Sequence, residues 1–144
     1  MDDDDYYSSH YLIDQYHALM YSESDIVGKG SHFMYLEDRN IVIQREIYKE
    51  FSYSNIIMGA TLFGYKKLFS TFPFNNLNRS EDSNFLSRVH KKGYIIYQSS
   101  VFGFCVYRKS DLSKHTWKES SSELVKNSKL IGNGNIKEYV YLIE

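Results

Sequence analysis

Hydrophobic and polar positions along the chain follow two periods, one helical and one strand-like. From Ser8 and Ser9, both suited to capping, a helical spacing runs to about Tyr21, with Leu12, Tyr16, Leu19 and Met20 near one face. Asp25-Ile26-Val27-Gly28-Lys29 reads as a short strand ending at glycine. Residues 33–36 and 41–44 flank the polar Glu37-Asp38-Arg39-Asn40, a hairpin pattern. Ile56-Ile57-Met58 is a continuous apolar run that predicts a buried strand leading into Gly59-Ala60-Thr61-Leu62-Phe63-Gly64. Residues 75–79 read as a polar loop. Ser80 then caps a helix in which Asp82, Phe85, Leu86 and Val89 fall at i, i+3, i+4 and i+7. Glu81 and Asp82 lie in its first turn, where the helix dipole favours negative charge, and Gly93 suits its end. Residues 94–97 and 101–107 predict two further strands. Residues 109–122 are polar, 123–130 read as a helix, and 139–143 alternate like a strand. Interspersed short strands and helices predict an α/β or α+β class.

Composition sharpens this picture. The 144 residues match one ordinary domain, and a single proline and no repeat predict a single unit. Aromatic residues make up 17% of the chain, with 14 Tyr, which favours sheet and large buried areas. The net charge of −1 lacks the basic excess of a nucleic-acid binder. One cysteine, Cys105, excludes a disulfide scaffold, and its apolar neighbours predict a buried thiol. The start, Met1-Asp2-Asp3-Asp4-Asp5, is the opposite of a secretion signal. No apolar run reaches the ~18 residues of a membrane span, so no transmembrane segment and a cytoplasmic location are expected.

Four groups of residues could carry chemistry. Asp2 to Asp5 can aim several oxygens at one hard cation, or form a solvated acidic tail. Glu81 and Asp82 fit either a general base at a helix start or plain dipole compensation. His115, in Lys114-His115-Thr116-Trp117, is a metal-ligand type or an exposed loop histidine. Gly59-Ala60-Thr61 allows a ligand close to the backbone, or marks tight packing. No phosphate-binding glycine loop and no nucleophile triad pattern occurs.

The order of these groups carries more than each alone. An Asp run followed by Tyr-Tyr and Tyr11-Leu12, then Ile26-Val27-Gly28-Lys29, Met58-Gly59-Ala60-Thr61-Leu62, Ser80-Glu81-Asp82-Ser83-Asn84-Phe85-Leu86, Lys92-Gly93-Tyr94 and His115-Thr116-Trp117, resembles the second half of a family 2 glycosyltransferase with the GT-A fold. The resemblance covers essentially the whole chain. It implies an α/β fold: a partial GT-A-like mixed sheet flanked by helices, without the N-terminal nucleotide-binding half. Residues 1–144 are then one incomplete, acceptor-side domain beginning at the DxD motif. It is part of a larger enzyme and expected to be inactive alone.

The resemblance also implies roles. Asp2 and Asp4 are the DxD carboxylates, Asp2 facing the donor and Asp4 holding a divalent cation, Mn²⁺ or Mg²⁺, with Asp5 in support. Asp82 is the acceptor-activating base of an inverting enzyme, with Glu81 beside it. Gly59, Ala60 and Thr61 line the sugar pocket, although Ala60 replaces the usual second glycine. His115 is a further metal or diphosphate contact and Arg108 a phosphate partner. The implied partners are a nucleotide-sugar donor and a glycan acceptor, with homodimerisation through the sheet edge left by the missing half. The competing reading is a non-catalytic carbohydrate- or partner-binding α/β module.

Overall fold

A computed structural model describes residues 1–46, 49–76, 80–111 and 119–144. The chain runs β1 (Tyr6–Tyr7), α1 (Tyr11–Ser22), β2 (Ile26–Gly28), β3 (His32–Leu36), β4 (Ile41–Arg45), β5 (Ser52–Tyr53), a 3-10 turn (Gly59–Thr61), β6 (Phe63–Gly64), α2 (Lys66–Thr71), α3 (Glu81–Lys91), β7 (Ile96–Gln98), β8 (Phe104–Arg108), α4 (Ser121–Lys126), β9 (Lys129–Asn133) and a 3-10 segment (Ile136–Leu142). The class is mixed α/β, with two mixed sheets flanked by helices. Contacts divide the chain into two compact units. The first holds Met1, Leu12–Gly30 and Lys49–Ser100, and the second Asp2–Tyr11, Ser31–Tyr48 and Val101–Glu144. No linker composition announces this division, because each unit is assembled from separated stretches.

The first unit is built on the sheet β5-β7-β2-β6, in which β2 and β7 are parallel and the two edge strands antiparallel. Both central strands are buried on two faces. Ile26 and Ile96 turn to one side and pack with Ile57, Leu68, Phe85, Leu86 and Val89. Val27 and Tyr97 turn to the other and pack with Ala18 and Leu19 of α1. Successive strand side chains point oppositely, so two covered faces require an unbroken apolar run. The predicted stripe of α3 is the buried one: Phe85, Leu86 and Val89 are at most 1% exposed. Truncating a phenylalanine buried to this degree typically costs about 3–5 kcal/mol. Gly93 follows α3 at φ +87°, a conformation that glycine adopts without a Cβ penalty.

Three expectations in this unit are corrected. Helix α1 buries Tyr11, Gln15, Ala18, Leu19 and Ser22, whereas Leu12, Tyr16 and Met20 are about half exposed. Of the four residues expected near one face only Leu19 is buried: the stripe is rotated toward Gln15, Ala18 and Ser22, and Ala18 and Leu19 pack on Val27 and Tyr97. Residues 56–58 form no strand. Ile57 alone is buried, Ile56 is exposed, and the Met58 N–H donates to the Lys29 carbonyl at 2.9 Å as the chain enters the 3-10 turn. Ser80 does precede α3, but with φ +58° and no side-chain cap bond; the Asp82 carboxylate instead accepts from the Ser83 N–H at 2.8 Å.

The second unit is built on the sheet β1-β8-β3-β4-β9. The predicted hairpin is present as β3 and β4, with Phe33 opposite Gln44 and Leu36 opposite Ile41. Strand β3 is buried at every position because each face is covered. Phe33 and Tyr35 pack with Ile136, Leu142 and Ile143, and Met34 and Leu36 with Leu124 of α4. Ser120 caps α4 by accepting the Glu123 N–H. The helix predicted over 123–130 therefore starts earlier and stops at Lys126, and β9 takes the remainder. The strand-like stretch 139–143 lies instead at the 3-10 segment, whose Leu142 carbonyl accepts from the Gly103 N–H. Cys105 is fully buried, which pushes its thiol up to about 12. Among the described residues, no helix is long and apolar enough to cross a membrane.

Candidate functional site

In the first unit the candidate site forms where β2 and β7 end. Ligands of open α/β sheets bind beyond the carboxyl ends of parallel strands. Three hydrogen bonds pin the turn Gly59-Ala60-Thr61 over these ends. Thr61 Oγ1 accepts from the Lys29 N–H at 2.9 Å and donates to the Met58 carbonyl at 2.8 Å. The Thr61 carbonyl accepts from Gln15 Nε2 at 3.2 Å, and Gln15 Oε1 accepts from Ser99 Oγ at 2.6 Å. A buried polar chain thus joins α1, the turn and the end of β7.

Asp82, in the first turn of α3, lies directly against this turn. A Cβ built on Gly59 would stand 2.6 Å from Asp82 Oδ2 and 2.9 Å from the Asp82 Cβ, so glycine is what leaves room for the carboxylate. Asp82 is partly buried, Glu81 is exposed, Thr61 is buried, and Gly59 and Ala60 are half-buried. The two motifs that the sequence separates by a loop and a helix are therefore brought together. The arrangement offers an acid–base carboxylate, held at a helix N-terminus, beside a backbone stripped of bulk.

Lys29 is a member of this region that the sequence reading missed. It is 2% exposed, and its Nζ donates to the Ser100 carbonyl at 2.5 Å. Burial lowers its pKa to about 8, against the attraction of Asp14 and Glu50. Its signal was a lysine between glycines at the end of an apolar strand. Gln15 was equally legible as a polar residue on the helix face that Tyr11 and Leu19 define.

The second unit holds the acidic run. Strand β1 anchors it, with Tyr6 paired to Cys105 and Tyr7 to Phe104. Tyr7 packs edge-on against Tyr11, and its hydroxyl accepts from the Asp2 N–H at 2.9 Å. Asp2, Asp3 and Asp4 are exposed, and Asp4 pairs with Lys109 at 3.2 Å. Asp5 is partly buried and accepts from the Tyr107 N–H at 3.1 Å. Burial lifts its pKa to about 6, with further upward pressure from Asp2 and Asp4. Oxygen donors of this type suit Mg²⁺ or Mn²⁺. Asp4 Oδ2 is paired with Lys109, and Asp5 Oδ1 accepts the backbone amide. Among the described residues no group of three His, Cys, Asp or Glu stands together to hold a metal.

Arg108 is 4% exposed and directs Nη2 to the Glu119 carbonyl, with Glu119 also facing Arg45. One nitrogen of its guanidinium is thus engaged inside the second unit. Exposed Glu37 accepts from the Ser110 N–H, the Tyr107 hydroxyl and the Ser110 hydroxyl, which together hold its carboxyl down to about 2. His115 lies outside the described residues, as does half of the polar stretch expected at 109–122. Gly59, Ala60, Thr61, Glu81 and Asp82 therefore belong to one unit, and Asp2, Asp4, Asp5 and Arg108 to the other.

Comparison of this chain with protein-family models, with curated proteins and with solved structures found no match.

Proposed function

We propose that this chain is the acceptor-side part of a glycosyltransferase with a GT-A-like fold, moving a sugar from a nucleotide-sugar donor to a glycan acceptor. The observation that supports it is the close approach of the Asp82 carboxylate to Gly59. In this reading Asp82 takes the proton of the acceptor hydroxyl. The acceptor oxygen bonds to the anomeric carbon, the bond from that carbon to the diphosphate breaks, and its electron pair leaves with the diphosphate. Gly59, Ala60 and Thr61 line the sugar's approach, and Glu81 adds negative charge nearby.

No step here is routed through a cation. Asp2 and Asp4, supported by Asp5, remain the residues that would hold Mn²⁺ or Mg²⁺, and a chelator tests the dependence directly.

The experiment is release of nucleoside diphosphate from a panel of nucleotide sugars by the native protein that contains this chain. Asp82→Asn is expected to lower turnover by about 10²–10⁴-fold, the usual worth of a positioned general base. Equal turnover of the variant removes Asp82 from the chemistry. No turnover by the wild-type protein across the panel overturns the enzyme reading in favour of a carbohydrate-binding module.

A further inference from the structure

The far end of α3 carries a second feature of the first unit. Where α3 ends and β7 begins, an open groove of about 520 Å³ lies beside the edge strand β5. Tyr53 and Tyr94 are among its lining residues. Each ring is held by another aromatic ring, Tyr53 edge-on to Tyr97 at 5.4 Å and Tyr94 edge-on to Phe72 at 5.5 Å. The Tyr53 hydroxyl is also fixed, donating to the Ser22 carbonyl at 2.9 Å, while its side chain remains 65% exposed. Asn55 and His90 add an exposed amide and imidazole, and Ile95 and Ile96 supply apolar floor. Among the described residues no Asp, Glu, Lys or Arg lines the groove.

That chemistry selects among ligands. Phosphates and nucleotides call for cationic or backbone N–H donors, and an acidic peptide calls for Lys or Arg. Pre-oriented aromatic rings beside uncharged hydrogen-bonding groups suit a neutral ring with an apolar face and a polar rim. The position narrows the class further. Asp82 lies at the first turn of α3, and a helix rises about 1.5 Å per residue, so the groove is roughly 15 Å from Asp82 along the axis. A single sugar cannot touch both places.

We propose that this groove is a subsite for a neutral oligosaccharide, with Tyr53 and Tyr94 contacting sugar faces and Asn55 and His90 hydrogen-bonding ring hydroxyls. The choice of ligand rests on the sugar-transfer reading; the groove itself does not. The test is a titration of the isotope-labelled chain with cellotetraose, chitotetraose and maltotetraose, followed by amide chemical shifts, with an anionic naphthalene dye as the apolar control. At least one oligosaccharide should shift the amides of residues 53–55 and 90–96 at millimolar concentration. Tyr53→Ala should weaken that binding about tenfold and Asn55→Ala several-fold, whereas Tyr53→Phe, which keeps the ring, should retain it.

Tyr53 and Asn55 are exposed, so these variants should keep the wild-type spectrum away from the groove. The proposal is overturned if none of the three sugars shifts these amides, if the shifts fall elsewhere, if Tyr53→Ala binds as wild type, or if only the dye binds. Transfer by the wild-type protein, measured beside binding, separates the two readings. Oligosaccharide binding here without any transfer activity retires the transferase and keeps the subsite. Transfer activity without binding here does the reverse.

Discussion

Lys29→Met isolates the cost of burying one ammonium group. At 2% exposure the lysine is almost wholly removed from water, and its pKa falls from 10.5 to about 8. At 1.36 kcal/mol per pKa unit, the charged form opposes folding by about 3 kcal/mol below pH 8. Methionine keeps an unbranched apolar stem but loses the bond to the Ser100 carbonyl, which returns about 1 kcal/mol. The variant should therefore be about 2 kcal/mol more stable than wild type at pH 7.

The pH dependence gives the sharper signature. The unfolded lysine holds its proton more tightly than the folded one, so folding releases a proton between pH 8 and 10.5. Wild-type stability should rise across that window relative to Lys29→Met, and the variant's advantage should vanish near its upper end. Urea denaturation followed by circular dichroism, at intervals from pH 7 to 10, measures the difference, and other titrating groups cancel between the two proteins. A gap that stays constant over this range refutes the reasoning. So does a variant less stable than wild type at pH 7, which would mean that Asp14 and Glu50 outweigh the burial.

The remaining predictions concern the two candidate clusters. Asp5 has its pKa raised from 3.8 to about 6, so its contribution is favourable when protonated and is lost as pH rises through 6. Asp5→Asn can still accept from the Tyr107 amide; discounting for partial exposure, it should add about 2 kcal/mol at pH 7 and little at pH 3.5, read by thermal unfolding at both values. Gly59→Ala should destabilise by about 1–2 kcal/mol, because its Cβ would stand 2.6 Å from Asp82 Oδ2. In an Asp82→Gly background, which removes the Cβ at 2.9 Å as well as the carboxylate, most of that cost should disappear, and a double-mutant cycle in urea with strictly additive effects would show that the two residues do not meet.

The pattern of the chain was enough to place the elements that carry their own local signals. Helix α3 was legible from Phe85, Leu86 and Val89 at helical spacing between two acidic residues and Gly93, and the β3–β4 hairpin from two apolar runs around a polar turn. The burial of Cys105 followed from its neighbours. The sequence could also nominate Gly59-Ala60-Thr61 and Asp82 separately, by residue type and order.

Tertiary structure decided what those local signals leave degenerate. The apolar run at 56–58 has the composition of a strand, but a strand needs a partner with free N–H and C=O groups. Here β5 and β6 take the edges of the sheet, and only Ile57 is drawn into the core. The face of α1 turned on which side chains fit the sheet, so Gln15 and Ala18 are inside while Leu12 and Met20 are outside. The same holds for the site. The contact between Gly59 and Asp82, and the burial of Lys29, depend on how parallel β2 and β7 bring their carboxyl ends together. Spacing along a chain determines which residues can share a helix face or a strand face. It does not determine which distant elements meet, because that follows from the packing of all of them at once.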